Sequence, residues 1–148
     1  GAGGKVRDFV GDCWDHFSVI FDFPNQVLAT FNSIQVGFGF DDIVCRVYGT
    51  KGTADLHYFS KSVIKCKEYS AAAEPGNLYT TGAQANIAAF HTAIGKGDYT
   101  NPTVAPSVRS NLTTILGRTA AYQNRAVTWE EMLRTAEPMI ADLTGLKT

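Results

Sequence analysis

The sequence predicts an α+β domain: an open, mainly antiparallel β-sheet, built as a meander, with helices packed on one of its faces. Two observations carry this expectation. Up to about residue 69 apolar residues recur with the period of two that suits a half-buried strand, and beyond residue 82 they recur at steps of three and four. Successive strand-like runs are joined by only a few turn-forming residues, enough for antiparallel neighbours and too few for a parallel crossover.

In residues 14–23, Phe17, Val19, Phe21 and Phe23 alternate with His16, Ser18 and Asp22, broken only by Ile20. Pro24 and Asn25 then supply a turn, because proline fixes its own φ and asparagine tolerates the left-handed region. Residues 27–38 carry apolar groups on both faces, Val27, Ala29 and Phe31 on one and Leu28, Ile34, Val36 and Phe38 on the other, and read as a central strand. Runs at 43–49 and 54–59 flank the turn Thr50-Lys51-Gly52-Thr53, and 62–69 is a further strand with charged edges, giving a meander of about five strands.

The stretch 71–82 is a connection rich in small residues. After it Ala83, Ile87, Phe90 and Ile94 fall on one helical stripe, which Gly95 and Gly97 terminate because glycine accepts the left-handed cap conformation. Pro106 suits the first turn of the next helix, whose apolar set is Val108, Leu112, Ile115, Thr119 and Tyr122. Ser107, Asn111, Thr114, Arg118 and Arg125 mark its polar side. Gly117, in mid-helix, is expected where another backbone or side chain comes close. A tight turn over 123–126 leads to Thr128-Trp129-Glu130-Glu131, a capping box with Val127 and Met132 at the staple positions.

Composition narrows the function classes. The 148 residues are 45% apolar with a formal net charge of −1, which suits one globular domain. The 13 Lys and Arg nearly balance the 14 Asp and Glu and are scattered, so the long-range field that nucleic-acid binding needs is missing. No apolar run approaches the length of about 18 residues that a membrane span needs. The chain begins GAGGKVRD, without an initiator methionine or a leader pattern, and is expected to be a processed product or a piece of something longer.

Cys13, Cys45 and Cys66 form no C-x-x-C pair and stand near no histidine at ligand spacing, so no metal site is expected and each is read as a small buried thiol. Those thiols fit a reducing compartment, and a cytoplasmic location is expected, with export by an upstream leader left open. Gly1-Ala2-Gly3-Gly4 and the GTKG at 49–52 lack the strand–loop–helix context of a phosphate cradle, and read as a flexible end and a hairpin turn. Asp15 and His16 are neighbours on a strand-like run, where adjacent side chains point to opposite faces, so they are not expected to form a hydrogen-bonded acid–base pair. His16 shares a face with Ser18 and Asp22, either a substrate-facing patch or the solvated side of the strand; His57, alternating with Asp55, reads the same way. His91 borders its helix's apolar stripe and is read as a packing histidine. Arg109, Arg118 and Arg125 could anchor anions by their forked donors or simply be solvated.

The residues VYGTKGTADLHY, then Asn86, Phe90, Ala93, Ile94 and Gly97 in N-x-x-x-F-x-x-A-I-x-x-G, then Asn101-Pro102 and SVRS with LGRTAAYQNRAVTWEEML, form a pattern. It resembles the C-terminal domain of the Gfo/Idh/MocA oxidoreductases, and a bacterial branch in particular, over about residues 6–133. The resemblance implies a parent with an upstream Rossmann domain that binds NAD or NADP. It also implies that residues 1–148 are a single substrate-binding domain that forms homo-oligomers through an open sheet face. The family's G-x-G-x-x-G, its E-K-P lysine and its Asp/His pair are absent from these residues; Asp15-His16 does not match that pair in spacing or position. Gln26 stands where the family commonly has glycine.

Two functions follow as expectations. The first is the substrate-binding and oligomerisation half of an NAD(P)-dependent oxidoreductase acting on a sugar, sugar derivative or cyclitol, inactive alone, with no catalytic, cofactor or metal residues of its own. Asp15, His16, Asn86 and Arg109 are its nominated pocket-facing groups, chosen for polar chemistry beside predicted sheet edges or helix starts. The alternative is a free-standing α+β scaffold whose sheet recruits a protein partner, without redox chemistry.

Overall fold

Glycine opens the chain as a strand, not as a loose end. In the computed structural model, which describes residues 1–9, 11–38, 42–137, 140 and 143–145, β1 (Ala2–Gly4) pairs antiparallel with β2 (His16–Phe23), Gly3 opposite Phe17. A Cβ at Gly3 would lie 2.4 Å from the His16 carbonyl oxygen and 3.1 Å from the Trp14 ring, so only glycine fits this edge strand. That corrects the expected flexible end: the absence of a side chain is what allows the pairing.

β2 turns through Pro24–Gln26 into β3 (Val27–Ile34), with Phe23 opposite Val27 and His16 opposite Ile34. Asn25 takes the left-handed conformation (φ 64°), as expected, but so does Gln26 (φ 61°). The third strand stops at Ile34, short of the expected 38. Gln35 donates its N–H to the Asp15 carbonyl instead (2.8 Å), and Gly37 is at φ 94°.

The chain forms two compact units, residues 1–37 with 102–148 and residues 38–101. In the first unit, α2 (Val104–Gln123) lies over β1 and β2. Its buried residues are Gly117, Ala120 and Ala121. A Cβ at Gly117 would sit 2.7 Å from Phe21 Cζ, so the expected close approach is made, and it is made to a phenyl ring. The periodic stripe is only partly the packing surface: Val108 is 53% exposed and Tyr122 51%. Small residues bring the helix axis close to the sheet, and a count of large apolar positions gives them no weight. Tyr122 nonetheless reaches Trp14 edge-on, with ring centroids 4.5 Å apart. Val19 and Met132 complete the buried apolar set.

Asn124 ends α2 in the left-handed conformation, and α3 (Trp129–Thr135) follows. Thr128 Oγ1 accepts the Glu131 N–H at 3.1 Å, as the capping box requires. The Glu131 carboxylate makes a two-point pair with Arg125 (2.5 and 3.2 Å), which gives Arg125 a structural partner.

The second unit carries β4 (Val44–Gly49), β5 (Gly52–His57), β6 (Ser62–Cys66) and β7 (Ser70–Ala73), each antiparallel to the next. Gly49 faces Gly52 across the two-residue turn Thr50-Lys51, so GTKG is the hairpin expected. The run 62–69 is strand only as far as Cys66, where the chain turns, the Cys66 N–H donating to the Tyr69 carbonyl at 2.7 Å, and a further strand starts at Ser70. The α+β class and the open antiparallel arrangement therefore stand, with seven strands in two sheets among the described residues in place of a single five-stranded meander.

This unit also contains α1 (Leu78–Lys96), which starts well before Ala83. Asn77 caps it, its Oδ1 accepting the Thr80 N–H at 3.2 Å. Gly97 ends it at φ 63°, as expected, whereas Gly95 lies inside the helix. Its apolar stripe is uncovered, Ile87 and Phe90 each 69% exposed. His91 is exposed too, which corrects its reading as a packing residue.

The register divides the second sheet into unlike faces. Arg46, Tyr48, Thr53, Asp55, His57 and Lys65 share one; Cys45, Val47, Ala54, Leu56, Ile64 and Cys66 share the other. The apolar face is open: Val47 is 50% exposed and Ile64 42%. Cys45 and Cys66 lie on it and Cys13 lies in the loop before β2, so all three thiols are exposed and none is the buried thiol expected. A strand period assigns a residue to a face, but it does not say whether anything covers that face.

Candidate functional site: an aspartate–histidine pair at the start of β2

Asp15 immediately precedes β2, its N–H donating to the Gly4 carbonyl (2.9 Å) and its carbonyl accepting from Gln35 (2.8 Å). Its carboxylate is fully buried and accepts the backbone N–H groups of Val6 (3.0 Å) and Arg7 (2.9 Å). Arg7 Nε adds a long contact at 3.5 Å. The other oxygen takes His16 Nδ1 at 2.9 Å. The two neighbours thus form the hydrogen-bonded pair that alternation argues against.

Burial by itself pushes the Asp15 carboxyl up, but the hydrogen bonds from His16 and from the backbone of Arg7 and Val6 outweigh it and hold the group well below the ordinary carboxylate range. The ionised Asp15 carboxylate accepts a hydrogen bond from His16 Nδ1, which orients the ring. The His16 side chain is 37% exposed. Asp15 itself is committed to the backbone and the ring, so of the two nominated residues only His16 can meet a ligand.

The other nominations lie elsewhere. Arg109, on α2, stacks its guanidinium over the Trp129 ring, 5.9 Å from the centroid. Asn86 is exposed on α1, in the second unit. No described contact joins Arg109 to Asp15 or His16.

Two further features lie apart from the nominated residues. In the first unit a groove of about 460 Å³ runs between α2 and the β2–β3 hairpin, walled by Phe21, Phe31 and Ile115 and edged by Ser33, Asn111 and Thr114. On the polar face of the second sheet, His57 lies between two carboxylates, Nδ1 at 3.0 Å from Asp42 and Nε2 at 3.3 Å from Asp55. Asp55 also takes Arg46 Nε at 2.9 Å. Hydrogen bonds to Asp42 and Asp55 raise the His57 pKa, and those from Arg46 and His57 lower that of Asp55 despite partial burial. The His57–Asp55 alternation was the signal; Asp42, fifteen residues away, was not in it.

Among the described residues no group of three His, Cys, Asp or Glu side chains could hold a metal ion. Neither is there a helix long and apolar enough to cross a membrane. Compared with protein-family models, curated proteins and solved structures, the chain matches none.

Proposed function

We propose that this chain is the substrate-binding and oligomerisation part of an NAD(P)-dependent oxidoreductase acting on a sugar, sugar derivative or cyclitol. The observation that carries the proposal is the division of labour between faces. The first sheet is backed by α2 on one side, and its other side presents His16, Ser18, Thr30 and Asn32 interleaved with Asp22 and the exposed Ile20, Leu28 and Ile34. Neutral donors and acceptors of this kind suit a ligand rich in hydroxyl groups. The motif resemblance supplies the redox context. In such a parent the hydride passes between a hydroxyl-bearing carbon and a nicotinamide held by an upstream domain, and this part provides shape and polar contacts.

Self-association is assigned to the apolar face of the second sheet, where Val47, Leu56 and Ile64 are open. The competing reading, a scaffold without redox chemistry, takes that same face as a site for a different protein.

The experiment has two parts. The coding region upstream, read in frame, is expected to specify a strand–loop–helix unit with G-x-G-x-x-G, and its absence would favour the scaffold. Calorimetry of the 148-residue chain with NAD and NADP is expected to show no binding; micromolar affinity would place the cofactor site in this chain and overturn the proposal.

A further inference from the structure

We infer that the free edge of β3 pairs antiparallel with the same edge of a second copy of the chain, joining two first sheets side by side about a two-fold axis. The edges of the two sheets are unlike. β1 is three residues long, β7 is four residues followed by Glu74 and Pro75, and β4 carries Arg46. Short length, charge and proline are the usual means by which a sheet edge is kept from pairing. β3 has none of them. Val27–Ile34 is eight residues, about 27 Å of strand, with no charged residue, proline or glycine, and it ends the first sheet among the described residues.

The backbone of β3 is aimed for such a partner. Gln35 gives its N–H inward to the Asp15 carbonyl, and strand N–H and C=O groups alternate sides. Those of Ala29, Phe31 and Ser33 therefore point at β2, and those of Leu28, Thr30, Asn32 and Ile34 point outward.

The side chains select one register. With the two-fold axis at Phe31, Leu28 stands opposite Ile34 of the second copy, Thr30 opposite Asn32, Ala29 opposite Ser33, and the two Phe31 rings opposite each other. Apolar groups meet apolar groups on both faces, and the polar pair Thr30–Asn32 is matched as well. The outward-pointing residues become the pairs that exchange backbone hydrogen bonds, which leaves Phe31 at a pair without them, where side chains approach closest. A slip of two residues, the smallest that keeps the faces matched, sets Phe31 against Ala29 and Leu28 against Asn32, or Phe31 against Ser33 and Thr30 against Ile34. Phe31, Leu28 and Ile34 are 50%, 67% and 65% exposed, so the favoured register covers apolar surface that the single chain leaves in water. A self-complementary edge of this kind closes into a pair and does not propagate. It also leaves both faces of the first sheet open to a ligand.

Amide hydrogen exchange on the 148-residue chain tests the inference, run on the parent and on Ile64→Lys, which disables the apolar face of the second sheet. In both, the N–H groups of Leu28, Thr30, Asn32 and Ile34 are expected to gain protection as concentration rises, while those of Ala29, Phe31 and Ser33 are protected at every concentration. In a mixture of 13C-labelled and unlabelled chains, the Hα of Ala29 should show a contact with the Hα of Ser33 in the other copy. Thr30→Pro removes an outward donor and no bond to β2, and is expected to abolish both signals. Leu28→Lys replaces an exposed side chain, should keep the parent's circular dichroism, and should weaken association at least tenfold.

Outward amides that stay unprotected throughout, or whose protection does not depend on concentration, would overturn the inference, the latter by pointing to a strand of the same chain. So would loss of the protection in Ile64→Lys, absence of the contact between copies, or association undiminished in both edge variants. The inference goes beyond the redox reading and fails separately from it. An upstream nucleotide domain with silent outward amides would sink the edge pairing alone; edge pairing without such a domain would sink the redox reading alone.

Discussion

Asp15 Oδ1 lies 2.9 Å from His16 Nδ1, and the other oxygen of the same carboxylate holds the backbone N–H of Arg7 at 2.9 Å. One buried group thus fixes a side chain on the sheet and anchors the segment between β1 and β2. Replacing it by Ala would leave the Val6 and Arg7 N–H groups without their acceptor as well as freeing the imidazole. Asp15→Ala is expected to lower the denaturation midpoint and to speed trypsin cleavage after Lys5 and Arg7 relative to the parent chain. Because the folded carboxyl titrates below its usual range, the stability it contributes is complete above about pH 4 and is lost as pH falls further, through the depressed folded value. Acid unfolding monitored by tryptophan fluorescence should therefore be shifted to higher pH in Asp15→Ala; unchanged trypsin resistance and acid midpoint would show the clasp to be idle.

The turn after β2 holds two successive non-glycine residues at positive φ, Asn25 at 64° and Gln26 at 61°. Asparagine tolerates that conformation, but glutamine lacks the short polar side chain that eases it. Gln26→Gly is expected to stabilise the first unit by about 1 kcal/mol, since the cost of a left-handed residue is roughly 1–2 kcal/mol less the added freedom of glycine in the unfolded chain. Urea denaturation with an unchanged slope measures it. A loss of stability would mean that the Gln26 side chain contributes more than its backbone costs.

Gly117 makes the opposite demand. With Phe21 Cζ only 2.7 Å from where a Cβ would stand, Gly117→Ala must push α2 off the sheet or turn the phenyl ring, even though alanine is the better helix former. Overpacking of this kind costs about 1–3 kcal/mol. Combining it with Phe21→Leu, which withdraws the ring edge, should recover part of that loss, and a double-mutant cycle reads the coupling. Strict additivity would show that the two positions do not meet.

These sites also show what the sequence could and could not disclose. The paired runs around Pro24-Asn25 and Thr50-Lys51, the glycine at the end of α1 and the Thr128 cap were legible, because each depends on local backbone geometry that a few residues specify. The packing face of α2 was not, since Gly117, Ala120 and Ala121 contribute little to an apolar count and act by what they omit. The Asp15–His16 pair was not legible, because alternation assigns neighbours to opposite faces and says nothing of a ring that reaches back to the preceding carboxylate. The role of Asp42 was missed because no spacing rule joins it to His57.

His57 titrates in the opposite sense to Asp15. Its pKa is raised, chiefly by the Asp42 hydrogen bond and then by Asp55, so the stability that it contributes is fully present below its ordinary value near 6.5 and is lost as pH rises through the higher folded value. The charged groups arranged around it are Asp42 before β4, Asp55 on β5 and Arg46 on β4, the last acting through Asp55. Asp42→Asn is expected to lower the His57 midpoint, followed by its Cε1 proton, and Asp55→Asn to lower it less. Amide exchange of β4 and β5, corrected for the intrinsic rate, should quicken above neutral pH in the parent chain and at lower pH in Asp42→Asn. A midpoint that does not respond to either substitution would remove the electrostatic link.

The uncovered face of the second sheet yields the last prediction. Val47, Leu56 and Ile64 are 50%, 39% and 42% exposed, side by side with Cys45 and Cys66, while the opposite face carries the Arg46–Asp55–His57 network. Water gains nothing from contact with such a surface, and burying it against a second copy recovers about 25 cal/mol for each Å² removed. Association is therefore expected to depend on concentration, and Ile64→Lys, which places a charge in the middle of the patch, should shift sedimentation toward the monomer. The cysteines report on the same event without mutation. In dilute protein all three thiols should react with a disulfide reagent, whereas in concentrated protein Cys45 and Cys66 should slow together and Cys13, in the loop before β2, should not. Equal protection of all three, or none at concentrations where the mass has doubled, would place the interface on another surface.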